Sequence, residues 1–406
     1  MSEDVKKIRI EDYTYELPDE RIARFPLAQR DASKLLVANG NKPFHHIPFY
    51  GIDEVLPGDS HLIFNETKVV QARLIFPKNE NTSIEIFCLE PLPGVDIQRA
   101  MATRVSIEYL CLVGGARKWK SGPLSLDIGS GQLLQAEKLE NTQGTFRISF
   151  KWNNDLAFAE VLEKAGRTPL PPYLKRPAEE TDRIRYQTVF AQNDGSVAAP
   201  TASLHFTDEL ITKLQQKGIH SSKLTLHVGA GTFKPVESEQ IGAHEMHAEE
   251  IFIKRSFVTE VRKKLNSRLI PVGTTAMRAL ESLYWFGALL QHGEKPEEGV
   301  VPLLDQWTPY RYELSHVNPE DSLRALENYL EEKGMETLQL KTAIIIAPGY
   351  IHHICGGLLT NFHQPKSTLL LLVASLLGKR WKEMYRYALD HDFRFLSYGD
   401  ACLILI

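Results

Sequence analysis

Short runs in which apolar and polar residues alternate fill residues 69–150, and outside that block the period lengthens. Ser83-Ile84-Glu85-Ile86-Phe87 and Thr145-Phe146-Arg147-Ile148-Ser149-Phe150 keep the two-residue period of half-buried strands, and 105–113 and 124–128 keep a looser version of it. Turn signals at 91–94, 114–115, 122–123, 129–131 and 141–144 separate these runs. About six strands at this spacing predict a small barrel or sandwich. Elsewhere strand and helix signals alternate. Asn154 caps a predicted helix over 155–165 that stops at Gly166, and another over 208–217 stops at Gly218. Apolar runs at 224–228, 268–272 and 343–346 read as buried strands. The pattern predicts an α/β class, a layered α/β domain with a small β-barrel inserted. The expected division is 1–70 for the first part of the α/β domain, 71–151 for the insert and 152–406 for the second part.

Near the C-terminus, Asn361-Phe362-His363-Gln364-Pro365-Lys366-Ser367-Thr368 leads into apolar residues 369–377 and then Gly378. Proline in the first turn, hydroxyl caps and a terminal glycine predict a helix. Its N-terminus is either an ordinary cap or a site where backbone N–H groups, Lys366 and Ser367 meet an anion beside Asn361 and His363. A nucleotide phosphate loop is excluded, because Pro365 stands where that motif needs a glycine and has no N–H to offer.

The 406 residues suffice for two domains or one with a large insertion, with 43% apolar and 24% charged residues as in ordinary globular proteins. A net charge of −4 gives no global footprint for nucleic acid, so any RNA must meet a local patch. The nine-residue block at 369–377 is too short to cross a bilayer, and the acidic start is not a signal peptide. A cytoplasmic monomer that does not engage membranes is expected. Cys88, Cys111, Cys355 and Cys402 lack any paired spacing and read as core residues.

Four segments could carry chemistry. His227-Val228-Gly229-Ala230-Gly231-Thr232 follows a strand, but Lys234 breaks the dinucleotide fingerprint and leaves a tight turn where backbone can approach a ligand. Gly273-Thr274-Thr275 opens a helix whose positive end suits a carboxylate, with Arg278 and Glu281 on one face; a surface ion pair plus a cap is the plainer reading. His244-Glu245-Met246-His247-Ala248-Glu249 misses the zinc-peptidase helix because its histidines are three apart, leaving metal binding, acid–base work or a structural role. Between Arg167 and Arg185, five basic and three acidic residues with four prolines and Tyr173 form either a positive ridge for a phosphate backbone or a solvated connection.

Several of these pieces, with Arg30-Asp31-Ala32-Ser33-Lys34, Phe64-Asn65-Glu66-Thr67-Lys68-Val69, Pro169-Leu170-Pro171-Pro172-Tyr173, Gly195-Ser196-Val197-Ala198-Ala199-Pro200-Thr201-Ala202, Leu204-His205-Phe206-Thr207 and Ser397-Tyr398-Gly399-Asp400-Ala401, occur in the order of one family. The chain resembles the S-adenosylmethionine:tRNA ribosyltransferase-isomerases of queuosine biosynthesis over most of its length. The resemblance implies an α/β domain carrying an inserted β-barrel. It implies transfer of the ribosyl part of S-adenosylmethionine to the aminomethyl group of a 7-deazaguanine in a tRNA anticodon, giving epoxyqueuosine and releasing adenine and methionine. S-adenosylmethionine is then a co-substrate; no bound cofactor and no metal are implied, and tRNA is the partner. Among matching positions, His227, His247, Glu249 and Asp400 are the candidates for proton transfer. Gly229, Gly231, Thr232, Gly273, Thr274, Thr275, Arg278, Asn361, His363, Lys366 and Ser367 are the candidates for substrate binding. Arg167, Tyr173, Lys175, Arg176, Arg183 and Arg185 are the candidates for tRNA binding. Gln71 and Ser203 depart from the family pattern, and 286–342 is longer than it. A paralogue acting on S-adenosylmethionine or a related nucleoside without RNA, and a non-catalytic RNA-binding protein, remain the alternative readings.

Overall fold

The computed structural model describes residues 2–129, 131–142, 144–153, 155–229, 236 and 238–406. Six strands form the central sheet in the order Arg268–Pro271, Ser60–Asn65, His220–His227, Glu249–Lys254, Thr337–Thr342 and Leu303–Leu304. The first three are mutually parallel, as Leu269 facing His61 and Ser222 facing Ile63 show, and Glu249–Lys254 then runs antiparallel to both neighbours. A second sheet orders Gly357–Asn361, Ala401–Leu405, Lys34–Asn39 and His45–Pro48. The two sheets meet at isolated bridges, Leu269 with Cys355 and Val272 with Leu359.

Burial on both faces explains the apolar runs of Lys34–Asn39 and Ala401–Leu405, whereas Glu249–Lys254 and Thr337–Thr342 alternate buried with more exposed positions. In Lys34–Asn39, Leu35 and Val37 join one core with Phe49, Phe64 and Phe206, while Leu36 and Ala38 join another with Phe362, Trp381 and Tyr385. Against the central sheet lies Thr274–Gln291, buried from Thr274 through Ala288, with Pro319–Glu332 packed outside it.

A separate apolar cluster fills a seven-stranded sheet made from Arg73–Asn79, Thr82–Pro91, Ser106–Gly114, Leu124–Asp127, Leu133–Thr142, Thr145–Trp152 and the short Gly166–Arg167. The sheet curls until Arg73–Asn79 meets Leu124–Asp127, but no ladder joins those two strands among the described residues. Among the described residues it is therefore a curled sheet whose hydrogen bonds do not run all the way round.

Three element expectations shift. The helix placed over 155–165 is Phe158–Ala165, started by the Glu160 carboxylate accepting from the Ala157 N–H at 2.7 Å; Asn154 lies outside the described residues. Residues 343–346 are buried, but the strand is Thr337–Thr342, because its partner Glu249–Lys254 runs out opposite Thr342. The C-terminal helix is Thr368–Leu377, capped by Ser367, so Pro365 precedes it and does not form its first turn. Gly378 ends it at a positive φ, +55°, that favours glycine. No helix among the described residues is long and apolar enough to cross a membrane.

Candidate active site

Two concavities lie on either side of the end of His220–His227, with Val228 bordering both. The first is lined by Thr201, Gly273, Thr274, Thr275, Asn361 and His363, among others, and is called the threonine pocket below. It sits where two helices begin. Gly273 turns the chain at φ +99° and commits its own N–H to Leu359 O at 2.8 Å, so the first N–H groups of Thr274–Gln291 are left for a ligand. Ser367 and Leu369, at the start of Thr368–Leu377, close another side. Two helix N-termini facing one pocket favour an anionic group there.

A buried hydrogen-bond chain fixes the pocket wall. Ser33 Oγ and His205 Nδ1 are 2.8 Å apart, His205 Nε2 and Asn361 Nδ2 3.2 Å, and Thr201 Oγ1 donates to Asn361 Oδ1 at 2.8 Å. Burial pushes the His205 imidazole down to about 4, so the neutral ring is the one that bridges at neutral pH. His363 is likewise pushed down to about 3 by burial, with Nε2 3.0 Å from Thr360 Oγ1 and its carbonyl accepting from Tyr15. Tyr173 reaches the pocket and holds Ser397 Oγ at 2.5 Å.

The second concavity, the histidine pocket, is lined by His227, Gly229, His247, Glu249, Glu250 and Lys341, with residues 89–95 of the curled sheet as its lip. His227 Nδ1 lies 2.9 Å from Thr67 Oγ1, and the ring packs edge-on against Phe252. Its Nε2 is buried with no hydrogen-bond partner among the described residues. Burial pushes this imidazole down to about 4, opposed in part by Asp96. Gly195, at φ +148°, runs against the ring: a Cβ there would stand 2.8 Å from Cε1 and Nδ1 of His227. Glu249 is buried and accepts from Arg278 at 2.7 Å. His247 is exposed at the pocket edge.

Several sequence-based assignments change. Arg278 does not line the threonine pocket; it stands behind Glu249 and also donates to Thr342 O at 3.4 Å. Nor does it pair with Glu281, whose fully buried carboxylate accepts from Tyr350 Oη and from the N–H groups of His353, Ile354 and Cys355. Lys366 turns away at φ +57° and pairs with Glu11 at 2.8 Å on the surface. The Asp400 carboxylate borders neither pocket: it accepts from the N–H groups of Lys34 at 3.0 Å and Arg394 at 2.7 Å, while burial raises its pKa. Gly231 and Thr232 lie outside the described residues. In the basic ridge, Arg176 makes a bidentate pair with Asp182, their side chains only 8% and 2% exposed, and Arg185 donates to Leu27 O and Ala28 O. Lys175 pairs with Asp19, Arg183 pairs with Glu163 and Glu180, and Arg167 is exposed. Among the described residues no group of three or more His, Cys, Asp or Glu could hold a metal ion.

The site also uses Thr67, Gly195, Thr201 and His205, which carried no assignment. All four stand inside motifs legible in the chain; only their contacts across 32 to 160 positions were not.

The family model described as "Queuosine biosynthesis protein" matches residues 10–302 and 320–404, so the unmatched stretch is narrower than 286–342. The S-adenosylmethionine:tRNA ribosyltransferase-isomerase of Syntrophotalea carbinolica is 38% identical over 404 residues, covering 98% of this chain and 100% of the relative. The protein of that name from Trichlorobacter lovleyi is 36% identical over 402 residues, covering 98% and 99%. A crystal structure of S-adenosylmethionine tRNA ribosyltransferase from Thermotoga maritima, 28% identical, superposes with a TM-score of 0.45 over 97% of this chain and 100% of that one. With a family model matched along nearly its whole length around two such pockets, the chain belongs to the family of queuosine biosynthesis proteins.

Proposed function

We propose that the protein transfers and isomerises the ribosyl moiety of S-adenosylmethionine onto a 7-aminomethyl-7-deazaguanine in a tRNA anticodon, releasing adenine and methionine. The observation that carries this reading is the pairing of opposite pockets around Val228 in a chain of this family. S-adenosylmethionine carries a carboxylate and a sulfonium, and the target base carries an amine. The threonine pocket, with its helix N-termini, suits the carboxylate, and the histidine pocket, where among the described residues Glu90, Glu249 and Glu250 outnumber the one lining cation, Lys341, suits the cationic groups.

In this reading His227 takes the C5′ proton that the sulfonium acidifies. Desolvation keeps its ring neutral at neutral pH, and in the tautomer whose Nδ1–H donates to Thr67, the Nε2 lone pair is the one left for the substrate. The imidazolium so formed is a strong acid in that environment and passes that proton on to adenine as its bond to the ribose breaks. His247, at the exposed edge, exchanges protons with solvent and frees the attacking amine. Glu249, backed by Arg278, faces the positive charge of the sulfonium. Asp400 holds the Lys34 and Arg394 backbone in place and takes no proton in the reaction. Arg167, Lys175 and Arg183 are the members of the ridge left to meet tRNA phosphates, and the enzyme works in the cytoplasm.

The purified protein should be incubated with S-adenosylmethionine and tRNA bearing the aminomethyl base, followed by mass spectrometry of the tRNA nucleosides. The expected result is the epoxyqueuosine nucleoside with equimolar adenine and methionine. Adenine release without a mass gain in tRNA would favour a nucleoside-cleaving enzyme instead.

A further inference from the structure

The family match leaves out residues 303–319, and the structure packs the start of that stretch against the His-containing wall of the histidine pocket. Leu303–Leu304 runs parallel to Lys341–Thr342. The pairing continues past it, because Ala343 N–H donates to Leu304 O at 2.9 Å and Ile345 N–H to Gln306 O at 3.3 Å. Asp305 fixes the next turn by accepting from Trp307 N–H at 2.7 Å and Thr308 Oγ1 at 2.9 Å. Tyr310 adds a brace, its hydroxyl donating to Ile345 O and accepting from Ala347 N–H, each at 3.2 Å.

From this rigid base the Gln306 amide brackets a neighbouring main chain. Its Oε1 accepts from Met246 N–H at 2.9 Å, and its Nε2 donates to His244 O at 2.8 Å. One side chain thus gives residues 244 and 246 what a parallel strand would give them, a donor to the first carbonyl and an acceptor for the second N–H. His247 follows directly, and Glu249 opens its strand two residues later. His247 and Glu249 both border the pocket, and Glu249 is held there by its ladder with Thr342 and its pair with Arg278. No hydrogen bond is made to the His247 ring among the described residues, so its place depends on the main chain that carries it.

We infer that Gln306 is a positioning residue for the reaction, setting through the 244–246 main chain where His247 stands in the histidine pocket. The inference rests on the reading of that pocket as the reaction site. Gln306 itself does not border the pocket.

The test compares full-length wild type with Gln306→Ala and Gln306→Glu, measuring kcat, KM for S-adenosylmethionine and melting temperature. Gln306→Ala removes both contacts, and the expected result is a fall in kcat of about tenfold or more with KM changed less than about threefold. Gln306→Glu keeps the acceptor for Met246 but offers the His244 carbonyl a donor only when its carboxyl is protonated. The ratio of its kcat to that of wild type should therefore climb as pH is lowered from about 7 to about 5, where a carboxyl with an ordinary pKa of about 4.3 begins to protonate. Wild-type kcat with a lowered melting temperature in the alanine variant overturns the inference, as does a ratio for the glutamate variant that is flat in pH. Should Gln306→Ala fail to fold, the glutamate ratio decides. His247→Ala, assayed alongside, separates the two readings. Full activity there sinks the assignment of the pocket, whereas a dead His247→Ala beside an unimpaired Gln306→Ala sinks only the role of Gln306.

Discussion

Replacing Gly195 by alanine should disable His227 without touching any ionisable group. The added Cβ would stand 2.8 Å from Cε1 and Nδ1 of the imidazole and 2.9 Å from Ile97 Cγ1, whereas ordinary contact begins at 3.4 Å. The ring must therefore retreat by the difference between 3.4 and 2.8 Å, about 0.6 Å, which works against its 2.9 Å contact with Thr67 Oγ1. Alanine at φ +148° costs about 1–3 kcal/mol of backbone strain, and a weakened hydrogen bond adds about 1 kcal/mol, so stability should fall by about 2–4 kcal/mol. A displacement of an ångström costs a reaction about a hundredfold, which puts the expected loss of kcat for this shift at about tenfold or somewhat more. Urea unfolding gives the first quantity, and adenine release at saturating S-adenosylmethionine and tRNA gives the second. Gly334→Ala is the control, since that glycine also has a positive φ, +62°, but nothing lies within 4 Å of the added Cβ. Wild-type kcat in Gly195→Ala would refute the placement of His227 in the chemistry.

Arg176→Ala should destabilise the fold by about 3–5 kcal/mol in urea unfolding, because it strands the buried Asp182 carboxylate, while Lys175→Ala, losing an exposed pair, should cost at most about 1 kcal/mol. The same two proteins should differ in the opposite sense in tRNA titrations against salt, with Lys175→Ala lowering the slope by about 0.7–0.9 and folded Arg176→Ala leaving it unchanged. Lys366→Ala should keep kcat within about threefold of wild type, since the ammonium pairs with Glu11 away from the threonine pocket; a fall of tenfold or more in a folded variant would return Lys366 to the site. Acid should destabilise the protein early. His205 and His227 are both held down to about 4, so the unfolded chain binds protons that the folded one refuses, and the stability present above pH 6.5 should be lost as pH falls from there through about 4, by up to about 1.4 kcal/mol per pH unit for each. Denaturant midpoints that stay level from pH 7 to 5 would contradict that burial.

Local pattern carried the parts of this protein that depend on neighbours in sequence. The strands around Ile84, Ile86, Phe146 and Ile148 were legible because alternation is imposed by the pleat itself, and the helices ending at Gly218 and Gly378 because only glycine takes a positive φ there without strain. The segments holding His227, His247, Gly273 and Asn361 stood out for their residue types, and two pockets do gather them. What each side chain does there was settled by partners distant in the chain. Arg278 could be placed on a helix face from its spacing with Glu281, yet the carboxylate it meets is Glu249, brought in by a strand 29 positions earlier. Asp400 and Lys366 looked like chemistry because of what surrounds them in sequence, but Asp400 holds two backbone N–H groups and Lys366 faces Glu11. Conversely, Gly195 and Thr67 give no local sign of acting on His227, since the crowding and the hydrogen bond exist only once three segments fold together. Periodicity reports which face of an element is buried; the direction of a charged or polar side chain is decided by which opposite charge, hydroxyl or free main-chain group the tertiary structure sets beside it, because a buried polar group left without one costs more than the local preference of the chain can offset.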